Sequence, residues 1–297
     1  ILRDCLFTPV HHQECFMTEA FDQVVATLLP LARMQRERDS LRAAYAAGRP
    51  YPHIVVDGFF DEAVLDRIVI EFPKRDGRDW ITWDTTNELK QTSRGIGGLS
   101  PFTQLFFMQL CSEPFLLKHI RYITGLPDLV LDPLFHGGGL HESVRGGWLN
   151  IHADWTKHPA LPLTRRLNLI IYLNRDWDLS WGGDLELCDP ASKTCGARVA
   201  PLFNRAVFFP TTSETLHGFP SPLTCPGNRT RKSISVYYWS PDPEALKEGA
   251  YITFLPGKKR TRMRALLRSL TPPIIFKGGA LLRSLRGNKL RAMGKSR

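Results

Sequence analysis

From Leu129 to Trp239 the chain is cut into short stretches, each closed by glycine, proline or a polar turn. Short alternating runs at that spacing build a β-sandwich or barrel, not a helical bundle. The expected strands are 129–136, 148–154, 166–174, 183–188, 197–202, 205–210 and 231–239. A glycine-rich link, Gly137-Gly138-Gly139, and the pair Gly146-Gly147 separate the first two. Turns fall at Gly182-Gly183 and at 201–204.

Upstream the period changes. Apolar residues at Phe21, Val24, Val25, Leu28, Leu29, Leu31 and Leu41 predict a helix over 18–47, split or kinked by Pro30. A strand is expected within 52–60. Asp61 then reads as the N-cap of an amphipathic helix over 62–72, with Val64, Leu65, Ile68 and Phe72 on its buried side. A polar segment, 74–100, carries short strands around Trp80-Ile81-Thr82-Trp83. Ser100-Pro101 and Glu113-Pro114 each start a further helix, the second ending near Gly125.

The net charge of +10 belongs to one end of the chain. Thirteen Lys and Arg lie between Lys258 and Arg297 with no Asp or Glu among them, so residues 1–257 are left near −3. No run of eighteen apolar residues is present to span a membrane. Residues 1–16 lack the apolar core of a secretion signal and are expected to be a leader or non-native segment. The six cysteines form no CxxC pair. Cys188 and Cys195 are placed to meet across a hairpin, but free thiols are expected, and with them a cytoplasmic location.

The chemistry concentrates at Trp148-Leu149-Asn150-Ile151-His152-Ala153-Asp154. Side chains alternate faces along a strand, so His152 and Asp154 point the same way, with Asn150 beside them. An imidazole and a carboxylate on one rigid face can grip a divalent cation. A third ligand would complete a two-His-one-carboxylate set with open positions suited to non-haem Fe(II) and oxygen chemistry. His217-Gly218, after the apolar strand ending at Phe209, is the candidate.

Four features follow in order: His152-x-Asp154; Leu167-Asn168-Leu169-Ile170-Ile171-Tyr172-Leu173-Asn174 leading through Trp177 to Gly182-Gly183-Asp184-Leu185; His217; and Arg229-Thr230-Arg231-Lys232-Ser233-Ile234-Ser235-Val236-Tyr237-Tyr238-Trp239. In this order they resemble the Fe(II)/2-oxoglutarate-dependent dioxygenases, in particular the prolyl-4-hydroxylase-like branch. The resemblance covers roughly residues 130–240. It implies an α+β, mainly β fold: a double-stranded β-helix (jelly roll) with N-terminal helices packed on one sheet and a basic, partly helical C-terminal tail. The implied layout is a helical segment at 17–50, a dioxygenase domain at 51–245 with its core at about 129–240, and the tail at 246–297.

By that resemblance His152, Asp154 and His217 bind Fe(II), and 2-oxoglutarate and O2 are co-substrates, with ascorbate as reductant. A guanidinium then holds the far carboxylate of 2-oxoglutarate. Arg229, Arg231 and Lys232 compete for this role. Strand parity puts Arg231, Ser233 and Ser235 on one face and favours Arg231. Arg229 fits better when counted forward from His217, unless an insertion lies in the loop at 221–228. Tyr172 matches the family tyrosine that reaches the co-substrate. It shares a face with Asn168, and both polar groups need buried partners.

The expected reaction couples decarboxylation of 2-oxoglutarate to hydroxylation of a peptidyl proline or a small molecule. The rivals are a jelly-roll binding module without catalysis, a hydroxylase of a lipid or other small molecule at a membrane surface, and a zinc hydrolase. The last lacks a His-Glu-x-x-His motif. Elsewhere the plain readings stand. His11, His12, His53, His119, His136, His141 and His158 are read as surface or core residues, with His141 near the site. Arg165, Arg166 and Arg229 are read as solvated, and Trp155 is the aromatic to test for substrate contact. The tail sets Leu266-Leu267 and Leu281-Leu282 among Arg and Lys around Pro272-Pro273. That pattern suits an anionic membrane surface or a partner, or else a solvated tail; nucleic acid is disfavoured.

Overall fold

The computed structural model describes residues 27–75, 77, 79–245 and 252–255. The chain divides into two compact units, 1–257 and 258–297. The second unit lies outside the described residues, and so do the calls on the 1–16 leader and nearly all of the basic tail.

The helices form where their end signals lie. Helix α1, Leu31–Ala47, starts directly after Pro30, so the proline ends the upstream turn and does not kink a longer helix. Helix α2, Glu62–Ile70, is capped by Asp61, whose side chain accepts from the Ala63 N–H at 2.8 Å. Helix α3, Pro101–Leu110, is capped by Ser100 with proline in its first turn. The helix expected at Glu113 opens as a π-helix, Glu113–Ile120, and continues as α4, Arg121–Thr124, closed by Gly125 at φ 71°.

Twelve strands follow one antiparallel ladder. They are β1 Ile54–Asp57, β2 Trp80–Asp84, β3 Glu88–Ser93, β4 Gly139–Ser143, β5 Trp148–Ala153, β6 Leu163–Tyr172, β7 Leu185–Cys188, β8 Cys195–Val199, β9 Arg205–Pro210, β10 Leu216–Phe219, β11 Arg231–Pro241 and β12 Thr253–Phe254. The order β1-β9-β6-β11-β4-β3-β5-β10-β7-β8 wraps into a jelly roll, with β2 paired to β3 and β12 to β5. One wall is built around β9, β6, β11 and β4. The other is β5, β10, β7 and β8.

The wall facing the helices explains why the strands alternate. Leu167, Leu169 and Ile171 of β6, Ala206 and Phe208 of β9, and Ile234, Val236 and Tyr238 of β11 form one core with Leu65, Ile68, Phe106 and Phe115 of the helices. Each such side chain, removed from water, contributes on the order of 2 kcal/mol. The alternate residues, Asn168, Ile170, Ser233 and Ser235, face the interior of the roll.

Three expectations are corrected. No strand spans 129–136. Only Val130 makes a bridge, to Trp239, because Asp132-Pro133 turns the chain and the Asp132 carboxylate accepts from the Leu134 and His136 N–H groups. Gly139, expected in a loop, begins β4. Cys188 and Cys195 are joined in a disulfide, because the β7–β8 hairpin sets them opposite one another in register. Free thiols among the described residues are Cys111 and Cys225, both buried.

Candidate metal centre and co-substrate pocket

Strand β5 delivers His152 and, one residue beyond its end, Asp154. Strand β10 delivers His217, which sits opposite His152 in the β5–β10 ladder. Gly218 makes this approach possible: a Cβ there would lie 2.8 Å from the carbonyl oxygens of both Asn150 and Leu149. The buried Tyr51 hydroxyl pins β10 by donating to the Leu216 carbonyl at 2.9 Å.

The two imidazoles are prepared as ligands by their own strands. His152 Nδ1 lies 2.9 Å from the Asn150 carbonyl, and His217 Nδ1 lies 3.2 Å from the Thr215 carbonyl. A carbonyl only accepts, so Nδ1 carries the proton in each ring and the Nε2 lone pair is free. Burial first, and His152 second, push the His217 pKa down to about 4, so its ring is neutral at physiological pH. One ligand atom from each of His152, Asp154 and His217 lies within 4.8 Å of the others. Among the described residues no other cluster of His, Cys, Asp and Glu has this geometry. Two imidazole nitrogens and a carboxylate at this spacing fit a divalent iron.

Asp154 is the most constrained of the three. Its Oδ1 lies 3.4 Å from His152 Nε2, and its Oδ2 lies 3.2 Å from Arg165 Nη1 and accepts from Asn168 Nδ2 at 2.9 Å. Burial alone would raise its pKa. His217 and Arg165 outweigh that effect and hold the carboxyl well below the ordinary range, so it is ionised.

Behind the triad an inner chamber is lined by Asn168, Ile170, Arg231, Ser233, Ser235 and His141. Arg231 is buried, and among the described residues no acidic side chain is bonded to it. Its Nε donates to the Gly183 carbonyl at 2.8 Å and its Nη2 to the Tyr172 hydroxyl at 3.1 Å. Gly183, at φ 85°, is required here, since a Cβ would press on Leu223 at 2.6 Å and on the Arg231 side chain at 3.0 Å. Burial lowers the Arg231 pKa and raises that of Tyr172. A carboxylate arriving beside them would repay the cost of burying that cation. Arg229 is elsewhere. It is half-buried, bonds the carbonyls of Arg175 and Asp176, and lies over Trp181.

The structure brings together His152, Asp154, His217, Arg231, Ser233 and Asn168, with Tyr172 behind Arg231. Three further residues belong to the site. Arg165, expected to be solvated, is 1% exposed and sandwiched by Trp155 and Tyr237, 3.9 and 3.7 Å from its guanidinium carbon. The cause is a bulge: Tyr238 pairs with Leu167 but Trp239 with Arg165, so Arg166 is skipped, and Arg165 turns inward in its place. His141 lines both chambers with Nε2 unpartnered, and burial, then Lys90, lowers its pKa to about 3. Lys90 of β3 lines the same space, paired with Glu88 at 3.1 Å. A basic and an acidic residue alternating along a polar segment gave the only signal for it.

The outer chamber, about 430 Å³, opens past Trp155, Arg165, Tyr237 and His136 to a rim that includes Trp83, Leu134 and Ile252. His158 is a satisfied core histidine, bonded through Nε2 to Asp132 and through Nδ1 to the Ala160 and Leu161 N–H groups.

Comparison with known proteins finds similarity over the stretch that carries these residues. Residues 138–239 match the model of the 2OG-Fe(II) oxygenase superfamily. Egl nine homolog 1 of Rattus norvegicus is 29% identical over 110 residues, which is 37% of this chain and 30% of that protein; the chain thus spans under a third of the relative. A Pseudomonas putida prolyl-4-hydroxylase structure covers 67% of this chain and 98% of its own, at TM-score 0.48 and 18% identity. A Trichoplax adhaerens prolyl hydroxylase, solved with a peptide of hypoxia inducible factor, covers 73% and 96%, at TM-score 0.49 and 12% identity. The matched stretch, residues 138–239, holds His152, Asp154, His217 and Arg231, and over that stretch the chain is similar to the 2OG-Fe(II) oxygenase superfamily.

Proposed function

We propose that the protein is an Fe(II)- and 2-oxoglutarate-dependent dioxygenase that hydroxylates an unactivated C–H bond. The observation that carries this reading is the convergence of His152, Asp154 and His217 on one point, with the buried guanidinium of Arg231 in the chamber behind them. Bound iron would supply oxygen activation: one atom of O2 goes to succinate as 2-oxoglutarate loses CO2, and the other to the substrate as hydroxyl. The chain supplies the rest. Arg231, steadied by Gly183 and Tyr172, binds and orients the far carboxylate of 2-oxoglutarate, with Ser233 beside it. The apolar walls, Ile170, Leu185 and Phe219, exclude water.

The substrate is proposed to be a peptidyl proline or a small molecule. An outer chamber of about 430 Å³ takes one ring or side chain, whether free or presented by a peptide. Trp155 on its wall is the proposed substrate contact. Ascorbate is proposed as the reductant that keeps the metal ferrous. The basic tail is proposed to hold the enzyme at an anionic membrane surface on the cytoplasmic side, which its thirteen cations and paired leucines support.

Turnover of 2-oxoglutarate to succinate by the purified protein, with Fe(II), ascorbate and no substrate, tests the reaction type. His152→Ala and Asp154→Ala should each abolish it. Full succinate yield from either variant would contradict the assignment.

A further inference from the structure

We infer that Asn168, oriented by Thr211, is a positioning residue that keeps Oδ2 of Asp154 for the protein and leaves Oδ1 for the metal. This rests on the proposed metal site but goes beyond it, by fixing how the carboxylate is presented.

The geometry carries the inference. The Asn168 amide turns its NH2 end to Asp154, where Nδ2 donates to Oδ2 at 2.9 Å. The oxygen end of the amide then points away, where the Thr211 hydroxyl donates to it at 2.9 Å. Asn168 and Thr211 are 2% and 3% exposed, so water does not replace either partner. Strand pairing fixes the relay: Asn168 sits opposite Phe209 in the β6–β9 ladder, and the Thr211 N–H is held by the Arg166 carbonyl at 2.9 Å.

The consequence concerns coordination number. A carboxylate with both oxygens free can take two positions on a cation. Here Oδ2 accepts from Asn168, with Arg165 Nη1 3.2 Å and His217 Nε2 3.7 Å away, whereas Oδ1, 3.4 Å from His152 Nε2, is the oxygen left to offer a cation. Two histidines and one oxygen leave half of an octahedral ion for a chelating co-substrate and O2. Asn168 therefore serves the reaction by holding a ligand, not by touching the co-substrate.

The test uses the full chain, stripped of metal and titrated with Co(II), whose visible absorption reports coordination number. Asn168→Ala should weaken Co(II) binding by about 10–100-fold, the usual range for loss of a ligand's hydrogen-bond partner. It should also shift the absorption band towards that of a more highly coordinated ion. Thr211→Val, a milder change, should move both in the same direction by less. The double variant should match Asn168→Ala, because Thr211 acts only through Asn168. A purely structural role would lower the melting temperature of the metal-free protein and leave the folded fraction with wild-type affinity and spectrum; that result would overturn the inference, as would additive losses in the double variant. Failure of the wild-type chain to bind Co(II) through His152 and His217 would instead sink the proposed function.

Discussion

Two arginines are buried in one barrel, and they are accommodated in different ways. Arg231, in the inner chamber, lies over the rings of Phe219 and Tyr172 but also has acceptors for its N–H groups, the Gly183 carbonyl and the Tyr172 hydroxyl. Arg165, at the wall of the outer chamber, is surrounded by rings, and its Nε and Nη2 have no hydrogen-bond partner. Its one close anion is Asp154. A guanidinium steadied in its own plane by neutral acceptors keeps an edge for an incoming carboxylate. One steadied on its faces by π-systems is a fixed positive charge, here beside a metal ligand.

The contrast is broken most directly at Arg231. Arg231→Ala should raise KM for 2-oxoglutarate by about 100-fold, the loss expected for a charge-assisted pair, while Co(II) affinity stays as in wild type. Succinate formation against 2-oxoglutarate concentration measures this, with Arg229→Ala, outside the chamber, as a control expected to change KM less than about twofold. A smaller loss is expected at the other arginine. Arg165→Ala should lower kcat about tenfold through Asp154, with KM for 2-oxoglutarate within about threefold of wild type. If the two variants shift the same parameter, the division between chambers fails. Tyr172→Phe removes one of the two groups that orient Arg231, so KM should rise only about three- to tenfold.

The smallest effect sharpens the electrostatic side of the comparison. Folding holds His217 at about 4 and His141 at about 3, below the ordinary imidazole value of 6.5. Burial also lowers His119 and His136. In the unfolded chain these rings take up protons below pH 6.5, which the folded protein resists. Their contribution to stability is complete above that pH and is lost progressively as pH falls towards 4. The melting temperature of the metal-free protein should therefore drop by several degrees between pH 7.5 and 5. A flat profile would mean that the rings are not neutral in the folded state.

Most of the metal site was legible because strand parity is rigid. His152 and Asp154 had to share a face, as did Arg231, Ser233 and Ser235, and each pair was right once the strands were placed. His217 was singled out by its place after the apolar strand ending at Phe209, and the resemblance supplied its role as third ligand. Arg165 was missed because a bulge is not written in parity. Arg165-Arg166 offers a cation to either face of β6, and only the pairing of Trp239 with Arg165 decides which one turns in. The segment at 129–136 misled because Leu129, Val130, Leu131 and Phe135 look like a strand, whereas Asp132 next to Pro133 bonds its own backbone more cheaply than a neighbour's. The disulfide was misjudged on cellular context, although the hairpin spacing had suggested it.

The alternation along β6 has a further consequence for how such a chain can change over time. Between Leu167 and Tyr172 every second side chain serves the helices and every other one serves the chamber. A single residue inserted or deleted there would exchange the two sets, sending leucines towards the iron ligands and an asparagine and a tyrosine into the oily layer beneath the helices. Individual positions in this strand can drift among residues of like polarity, but its length cannot. The exposed turn at 226–228, which belongs to no strand, can grow or shrink at little cost.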